Sequence, residues 1–464
     1  MFGVCPYGIT NVLQNQMKKL FGTDGIRAKA GEFPLDDKTV TIVGASLARL
    51  CRERLGRTPK FITGRDTRES GEWIEAAFHK GAKSAGAECL SAGVITTPGV
   101  AFVTGYGDFD GGIVISASHN PYEDNGLKIF NPSGKKAQET TEREIEKDIH
   151  EGNLPEFNAE SGSVDTSREV DFKRAYIDHL AEFFEGLDLA GRRIIVDCAN
   201  GASSELAPEL FGSFGADVEV INCKPDGQNI NANCGSMHLD VLQEKVRASS
   251  AEFGVAFDGD ADRALFVDEN GEIVDGDAVL WVMAKYFIAH GKLANKKVIA
   301  TVMSNLGLEI ALKSRGIELV RTAVGDKYVL DELIASASEI GGEQSGHIIF
   351  PEKSLVGDGM LTALYLMQAA NEMGGTLSEA IDGFVRYPQI LVNVKVKEKR
   401  PFEEVPAISE ASGKIEREMN GNGRLLLRYS GTENLARVMM EGKDQKSIED
   451  LAHLLAGVIR QELG

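Results

Sequence analysis

Residues 193–222 read RIIVDCANGASSELAPELFGSFGADVEVIN. An apolar, β-branched run at 193–198 predicts a strand. Helical spacing follows at 203–214, and a second strand at 217–222. Strand, helix and strand joined this closely are a βαβ unit, which builds a parallel sheet.

The unit recurs on both sides. Downstream, 297–302, 306–314 and 318–321 repeat it. Upstream, helices at 37–55 and 72–85 alternate with strands at 60–63 and 113–116. The end of the chain differs. There, strand 391–396, helix 401–419, strands 424–429 and 435–441, and helix 446–464 make an α+β module. The predicted fold class is α/β: three consecutive α/β domains with mixed, mostly parallel sheets, plus a C-terminal α+β domain around a central cleft. Polar breaks place the domains at 17–165, 166–274, 275–386 and 387–464, with an extension at 1–16. A chain of 464 residues fits four such units. The three α/β blocks have the look of distant repeats.

Composition narrows the function classes. Lys and Arg number 50 against 70 Asp and Glu, a net charge of −20. That balance argues against nucleic acid and against anionic membranes, and taken alone it also disfavours an anionic ligand. No run reaches the ~20 apolar residues of a membrane span. The six cysteines form no C-x-x-C pair. Free thiols in a reducing, cytoplasmic compartment are the plain reading.

Four polar loops carry the chemistry. Asp258-Gly259-Asp260-Ala261-Asp262-Arg263 lies between predicted strands. Three carboxylates at alternate positions on a tight turn can converge on one hard cation, Mg²⁺ or Ca²⁺. A solvated acidic turn is the bland alternative. An EF-hand loop is another, but its sixth position would be Arg263 where Gly is needed. Ser116-Ala117-Ser118-His119-Asn120-Pro121 leaves the carboxyl end of a strand, where α/β proteins bind ligands. Its hydroxyls and imidazole make it nucleophile-capable, although a Ser/Asn turn needs no function. Lys128 is close enough in sequence to reach the same mouth and stabilise phosphate charge.

In Gly341-Gly342-Glu343-Gln344-Ser345-Gly346-His347, Glu343 and Ser345 are two apart. In extended chain they face one way, which suits a pair of sugar hydroxyls. Arg428-Tyr429-Ser430-Gly431-Thr432-Glu433-Asn434, followed by Arg437, offers backbone N–H groups, hydroxyls and guanidinium forks for an anion. Each loop could also be a structural turn. The segments Phe21–Arg27 (FGTDGIR), which places Arg27, and Gly325-Asp326-Lys327 add weaker support.

The ordered set FGTDGIR, GRDTRESG, SASHNP, DGDADR, GEQSGH and RYSGTENLAR resembles the α-D-phosphohexomutase superfamily. The likeness runs from about residue 20 to the end. Residues 225–231 (PDGQNIN), Cys234-Gly235-Ser236 and 324–329 (VGDKYV) look like its amino-sugar branch. The resemblance implies four domains about a deep cleft, and phosphoryl movement between O6 and O1 of a hexose phosphate. It implies that Ser118 carries the phosphoryl group. Asp258, Asp260 and Asp262 would bind Mg²⁺, with the phosphoserine 118 oxygen as a further ligand.

His119 and Lys128 match residues of proton transfer and phosphate contact, and Arg263 an active-site arginine. Arg27 and Lys327 join the same set. Glu343, Ser345 and His347 fall in the sugar-reading loop. Arg428, Ser430, Gly431, Thr432 and Arg437 match the loop for the non-reacting phosphate. The implied partner is a small-molecule hexosamine phosphate, primed by glucosamine 1,6-bisphosphate or a similar sugar bisphosphate. Family members are often homodimers. A neutral-hexose mutase and a non-catalytic sugar-phosphate binder are the rival readings. Ala28, Lys327 and Asn434 depart from the usual Gly, Arg and Pro. On this view Arg27, Lys128, Arg263, Lys327, Arg428 and Arg437 gather positive charge in one cleft, while the acidic excess lies on outer helices such as 142–151.

Overall fold

A computed structural model describes residues 19–152, 163–373, 375–419, 423–430 and 433–464. The extension at 1–16, most of the 152–167 linker, and Gly431 and Thr432 lie outside the described residues.

Three sheets share one strand order. In the first, Lys60–Arg65 pairs in parallel with Glu88–Val94 on one side and Gly111–Ile115 on the other. Asp124–Phe130 then adds antiparallel, and Ile26–Lys29 closes the edge. In the second, Arg193–Asp197 lies parallel to Asp217–Ile221 and Phe253–Phe257. Antiparallel Ala264–Asp268 and Ile273–Val274 follow. In the third, Lys297–Thr301 lies parallel to Glu318–Thr322 and Gly341–Gly342, and Ile348–Ile349 adds antiparallel. The sheets are mixed, each with a parallel trio at its heart. The α/β blocks are therefore structural repeats.

The repeat has a functional consequence. In each sheet, one loop joins the third strand of the trio to its antiparallel neighbour. These loops are 116–123, 258–263 and 343–347, and each carries one of the motifs. The fourth unit is an antiparallel sheet in the order Gln389–Lys395, Leu435–Gly442, Gly423–Tyr429. Two helices, Pro406–Met419 and Gln445–Leu463, pack on it.

One apolar core runs through the first three units. It joins Ile62 and Val100 to Phe172 and Tyr176, and these to Leu206, Phe257, Trp281 and Tyr365. The fourth unit has its own core around Ile408, Val438 and Leu455. Its ties to the third unit are polar. Arg424 donates to the carbonyls of Val302 and Ser304, and Asn305 exchanges two hydrogen bonds with the Tyr387 backbone. Among the described residues, no helix is long and apolar enough to cross a membrane.

Two local expectations are corrected. The helix predicted over 401–419 begins only at Pro406, after a short turn at Phe402–Glu404. Proline lacks an N–H and pushes the residue before it to extended backbone, and Val405 is extended (φ −103, ψ 100). Lys128 sits on a strand that the sequence did not announce. Asp124, Asn125 and Gly126 have poor strand propensity, and only pairing with Gly111–Ile115 and Ile26–Lys29 makes them a strand.

Candidate active site

The Ser118 loop leaves the first sheet at Ile115 and turns sharply. Ser118 is wholly buried and adopts φ +53, a left-handed conformation unusual for a residue with a Cβ. Its N–H donates to Ser116 Oγ at 2.9 Å. Its hydroxyl donates to Asp258 Oδ2 at 2.5 Å and lies 3.2 Å from His119 Nδ1.

The 258–263 loop, the proposed metal loop, faces it from the second sheet. Ligand oxygens of Asp258, Asp260 and Asp262 lie within 4.8 Å of one another, and all three residues are buried. Asp260 Oδ1 and Asp262 Oδ1 are buried without a hydrogen-bond partner. Burial and the neighbouring Asp262 and Asp260 push the Asp258 carboxyl well above the carboxylate range. Burial also pushes Asp262 upward, but Lys128, His347 and Arg263 outweigh it and hold it at about 2. Three crowded carboxylates with two idle oxygens fit a hard divalent cation.

Lys128 approaches from the antiparallel strand of the first sheet. Its Nζ donates to Asp260 at 2.8 Å and Asp262 at 3.1 Å, and lies 3.2 Å from Asp24. Burial works against its charge, yet Asp24, Asp260 and Asp262 hold its pKa well above the ordinary lysine value. His119 behaves oppositely. Burial, then the charges of Arg263 and Arg27, lower it to about 4, so it is neutral at pH 7. Its Nδ1 lies 3.2 Å from Arg263 Nη1.

A cavity of about 660 Å³ opens beside these groups, lined by Thr23, Asp24, Arg27, Asp262, Arg263, Gly325, Asp326, Glu343 and His347. Glu343 and Ser345 do meet, with Ser345 Oγ donating to Glu343 Oε2 at 3.3 Å. Their backbone is not extended, however. A turn closes between Glu343 and His347, with Gly346 N–H on the Glu343 carbonyl. The turn, not strand alternation, brings them together.

Other residues stand apart. Lys327 is exposed and does not line the cavity; its charge acts on Glu139 and Glu142 of the first unit. Arg428 and Arg437 face each other across the strand pair of the fourth unit, and Arg437 reaches Ser430 Oγ at 3.4 Å. They are not among the cavity's lining residues either. Positive charge is thus split between two places, and the first is matched by acids.

Four further residues join the site by contact. Asp24 ion-pairs with Arg27, Lys128 and Lys136. Lys136 also pairs with Asp326, which ties the first unit to the third. Thr97 donates to Asp260. Asp24 and Asp326 fall inside motifs already noticed. Lys136 and Thr97 carry no signal, because only folding brings them near.

The chain matches the phosphoglucomutase/phosphomannomutase domains throughout: alpha/beta/alpha domain I over 18–156, domain II over 174–271, domain III over 275–387, and the C-terminal domain over 391–458. It belongs to that family, the α-D-phosphohexomutases. Among its relatives, a protein of Solibacter usitatus named phosphoglucosamine mutase is 49% identical, covering 96% of this chain and 99% of the relative. Another of that name, from Deinococcus radiodurans, is 45% identical, covering 96% and 98%.

Solved structures share the fold. A phosphoglucomutase/phosphomannomutase family protein of Burkholderia thailandensis superposes with a TM-score of 0.78 at 21% identity, covering 96% of this chain and 97% of that one. The Aspergillus fumigatus N-acetylphosphoglucosamine mutase, in complex with GlcNAc-6P and magnesium, gives 0.65 at 20% identity, covering 96% of each chain.

Proposed function

We propose that this chain is a phosphoglucosamine mutase, interconverting glucosamine 6-phosphate and glucosamine 1-phosphate through phosphoserine 118 and a 1,6-bisphosphate. The carrying observation is the meeting of a buried serine hydroxyl with Asp258 of the metal loop, beside a lysine kept cationic by three acids. A passive sugar-phosphate binder has no use for that arrangement. The names of the relatives at 49% and 45% identity support the amino-sugar substrate.

In the first transfer, the bond between phosphorus and Ser118 Oγ breaks, and one forms to the free sugar hydroxyl oxygen. The hydroxyl loses its proton and Ser118 Oγ regains one. Neutral His119, with Nδ1 3.2 Å from Oγ, is placed to handle the proton at that atom. Lys128 stays cationic and offsets charge on the moving phosphoryl group, since such transfer relies mainly on positioning and charge stabilisation. Mg²⁺ held by Asp258, Asp260 and Asp262, with Ser118 as a further ligand, would supply additional charge neutralisation. The bisphosphate then turns end over end, and its other phosphoryl group goes to Ser118. Arg428, Ser430 and Arg437, with Gly431 and Thr432, hold the phosphate that is not reacting. Glu343, Ser345 and His347 read the sugar, and Arg27 and Arg263 line its cavity.

Side-by-side turnover of glucosamine 6-phosphate, mannose 6-phosphate and glucose 6-phosphate tests this reading. The amino sugar is expected to lead. A tenfold preference for either neutral sugar, about 1.4 kcal/mol in transition-state binding, overturns it.

A further inference from the structure

Ser118 sits in a backbone conformation that costs free energy, and something must hold it there. The carbonyls of Ser118 and Asn120 flank the turn. Two side chains from different units donate to both of them. Arg68 Nη2 donates to Ser118 O at 3.3 Å and to Asn120 O at 2.5 Å. Asn231 Nδ2 donates to the same oxygens at 2.9 and 3.1 Å.

We propose that Arg68 and Asn231 form a two-sided clamp that positions Ser118 against the metal loop for phosphoryl transfer. Arg68 comes from the loop after the middle strand of the first sheet's parallel trio and is wholly buried. Its other arm donates to Asp66, which neutralises it in place. Asn231 belongs to the second unit. Its own N–H donates to Ala199 O, on the loop after the middle strand of that unit's parallel trio. That loop also grips the metal loop, through Ala202 N–H on Gly259 O. Gly259 passes so close that a Cβ there would fall 2.6 Å from Ser118 O and 3.0 Å from Asn231 Nδ2.

Asn231 therefore spans two units whose relative placement sets the distance from Ser118 Oγ to Asp258. Without it, the carbonyls of Ser118 and Asn120 are held by Arg68 of the first unit and lose their hydrogen bonds from the second. A small displacement of a nucleophile costs rate steeply, up to ~100-fold for about 1 Å. Neither residue touches the cavity, so substrate affinity is spared. Both are positioning residues.

The inference rests on Ser118 as phosphoryl carrier. The test compares wild type, Asn231→Ala, Arg68→Lys and Ser118→Ala in steady-state mutase assays with bisphosphate primer and Mg²⁺. Thermal melting follows each variant. Because Arg68 is buried and its replacement can prevent folding, Asn231→Ala decides. The expected result is a fall in kcat of about 10- to 100-fold, with KM within twofold and a cooperative melt retained. Unchanged kcat in folded Asn231→Ala overturns the clamp, and so does a loss confined to KM. Failure of the underlying reading shows separately, as mutase activity that persists in Ser118→Ala.

Discussion

Ser118 Oγ lies 2.5 Å from Asp258 Oδ2, though 140 residues separate the two in the chain. The proposed nucleophile follows a strand of one sheet and the proposed metal ligand a strand of the next. Removing the hydroxyl by Ser118→Ala leaves no atom to carry a phosphoryl group. Mutase activity with bisphosphate primer is expected to fall by about 10⁴-fold or more, measured as formation of the 1-phosphate. Activity near wild type would sink the assignment.

The idle oxygens of Asp260 and Asp262 predict metal-linked stability. A divalent cation at a hundredfold excess over its Kd stabilises the fold by about 2.7 kcal/mol. Mg²⁺ is expected to raise the melting temperature of chelator-treated wild type. Asp260→Asn is expected to weaken Mg²⁺ binding at least about tenfold, or 1.4 kcal/mol. Titration calorimetry reads the affinity directly, and equal affinities would refute the triad as the site.

Arg437 reaches Ser430 on the strand pair of the fourth unit. Charge-assisted hydrogen bonds contribute about 1.5–3 kcal/mol. Arg437→Ala should therefore raise KM by roughly 10- to 100-fold. The effect on kcat is expected to be much smaller, since in the proposed mechanism the phosphate held there is not the one transferred. A kcat loss without a KM change would contradict the role.

Lys136 bridges Asp24 and Asp326, and so joins the first and third units beside the cavity. Lys136→Met leaves half-buried Asp24 to Arg27 and Lys128 and takes the lysine from half-buried Asp326. The loss is expected to be about 1–3 kcal/mol, between the surface and the fully buried cases. Lys136→Arg, which keeps the charge, should lose less. Denaturant unfolding of both variants is the check, and equal stability of Lys136→Met and wild type would show that the bridge adds nothing.

Asp358 caps the helix Gly359–Glu372 and accepts a hydrogen bond from Tyr176 at 2.8 Å. Burial lifts its carboxyl to about 6, against hydrogen bonds from Leu361, Tyr176 and Met360 that lower it. Its folded value thus exceeds the ordinary ~3.9 of an unfolded chain. The protonated form is favoured in the fold, so its stabilising contribution is complete below about pH 4 and lost as pH rises through 6. Asp358→Asn has no proton to lose. Relative to wild type it should gain up to about 3 kcal/mol at pH 8, with no gain at pH 4. A constant difference across that window would argue against the shift.

The sequence by itself determined a good deal. Period and turn residues marked the βαβ units and the α+β tail, because side-chain patterning and local backbone preference act over a few neighbours. The motifs SASHNP, DGDADR and GEQSGH were legible for the same reason, since each is a run of adjacent residues. Tertiary structure decided what those runs meet. It turned a polar segment into the strand carrying Lys128, and brought Glu343 beside Ser345 by a turn. It also spread the expected positive charge over two places. Lys136, Thr97, Arg68 and Asn231 found their partners only through folding. The net charge of −20 did not forbid a phosphate site, because field in a buried pocket comes from the few groups facing it. Sequence orders residues along a line. Which of them share a cavity depends on how three repeated sheets turn their equivalent loops toward one another, and that is settled by the apolar core between them.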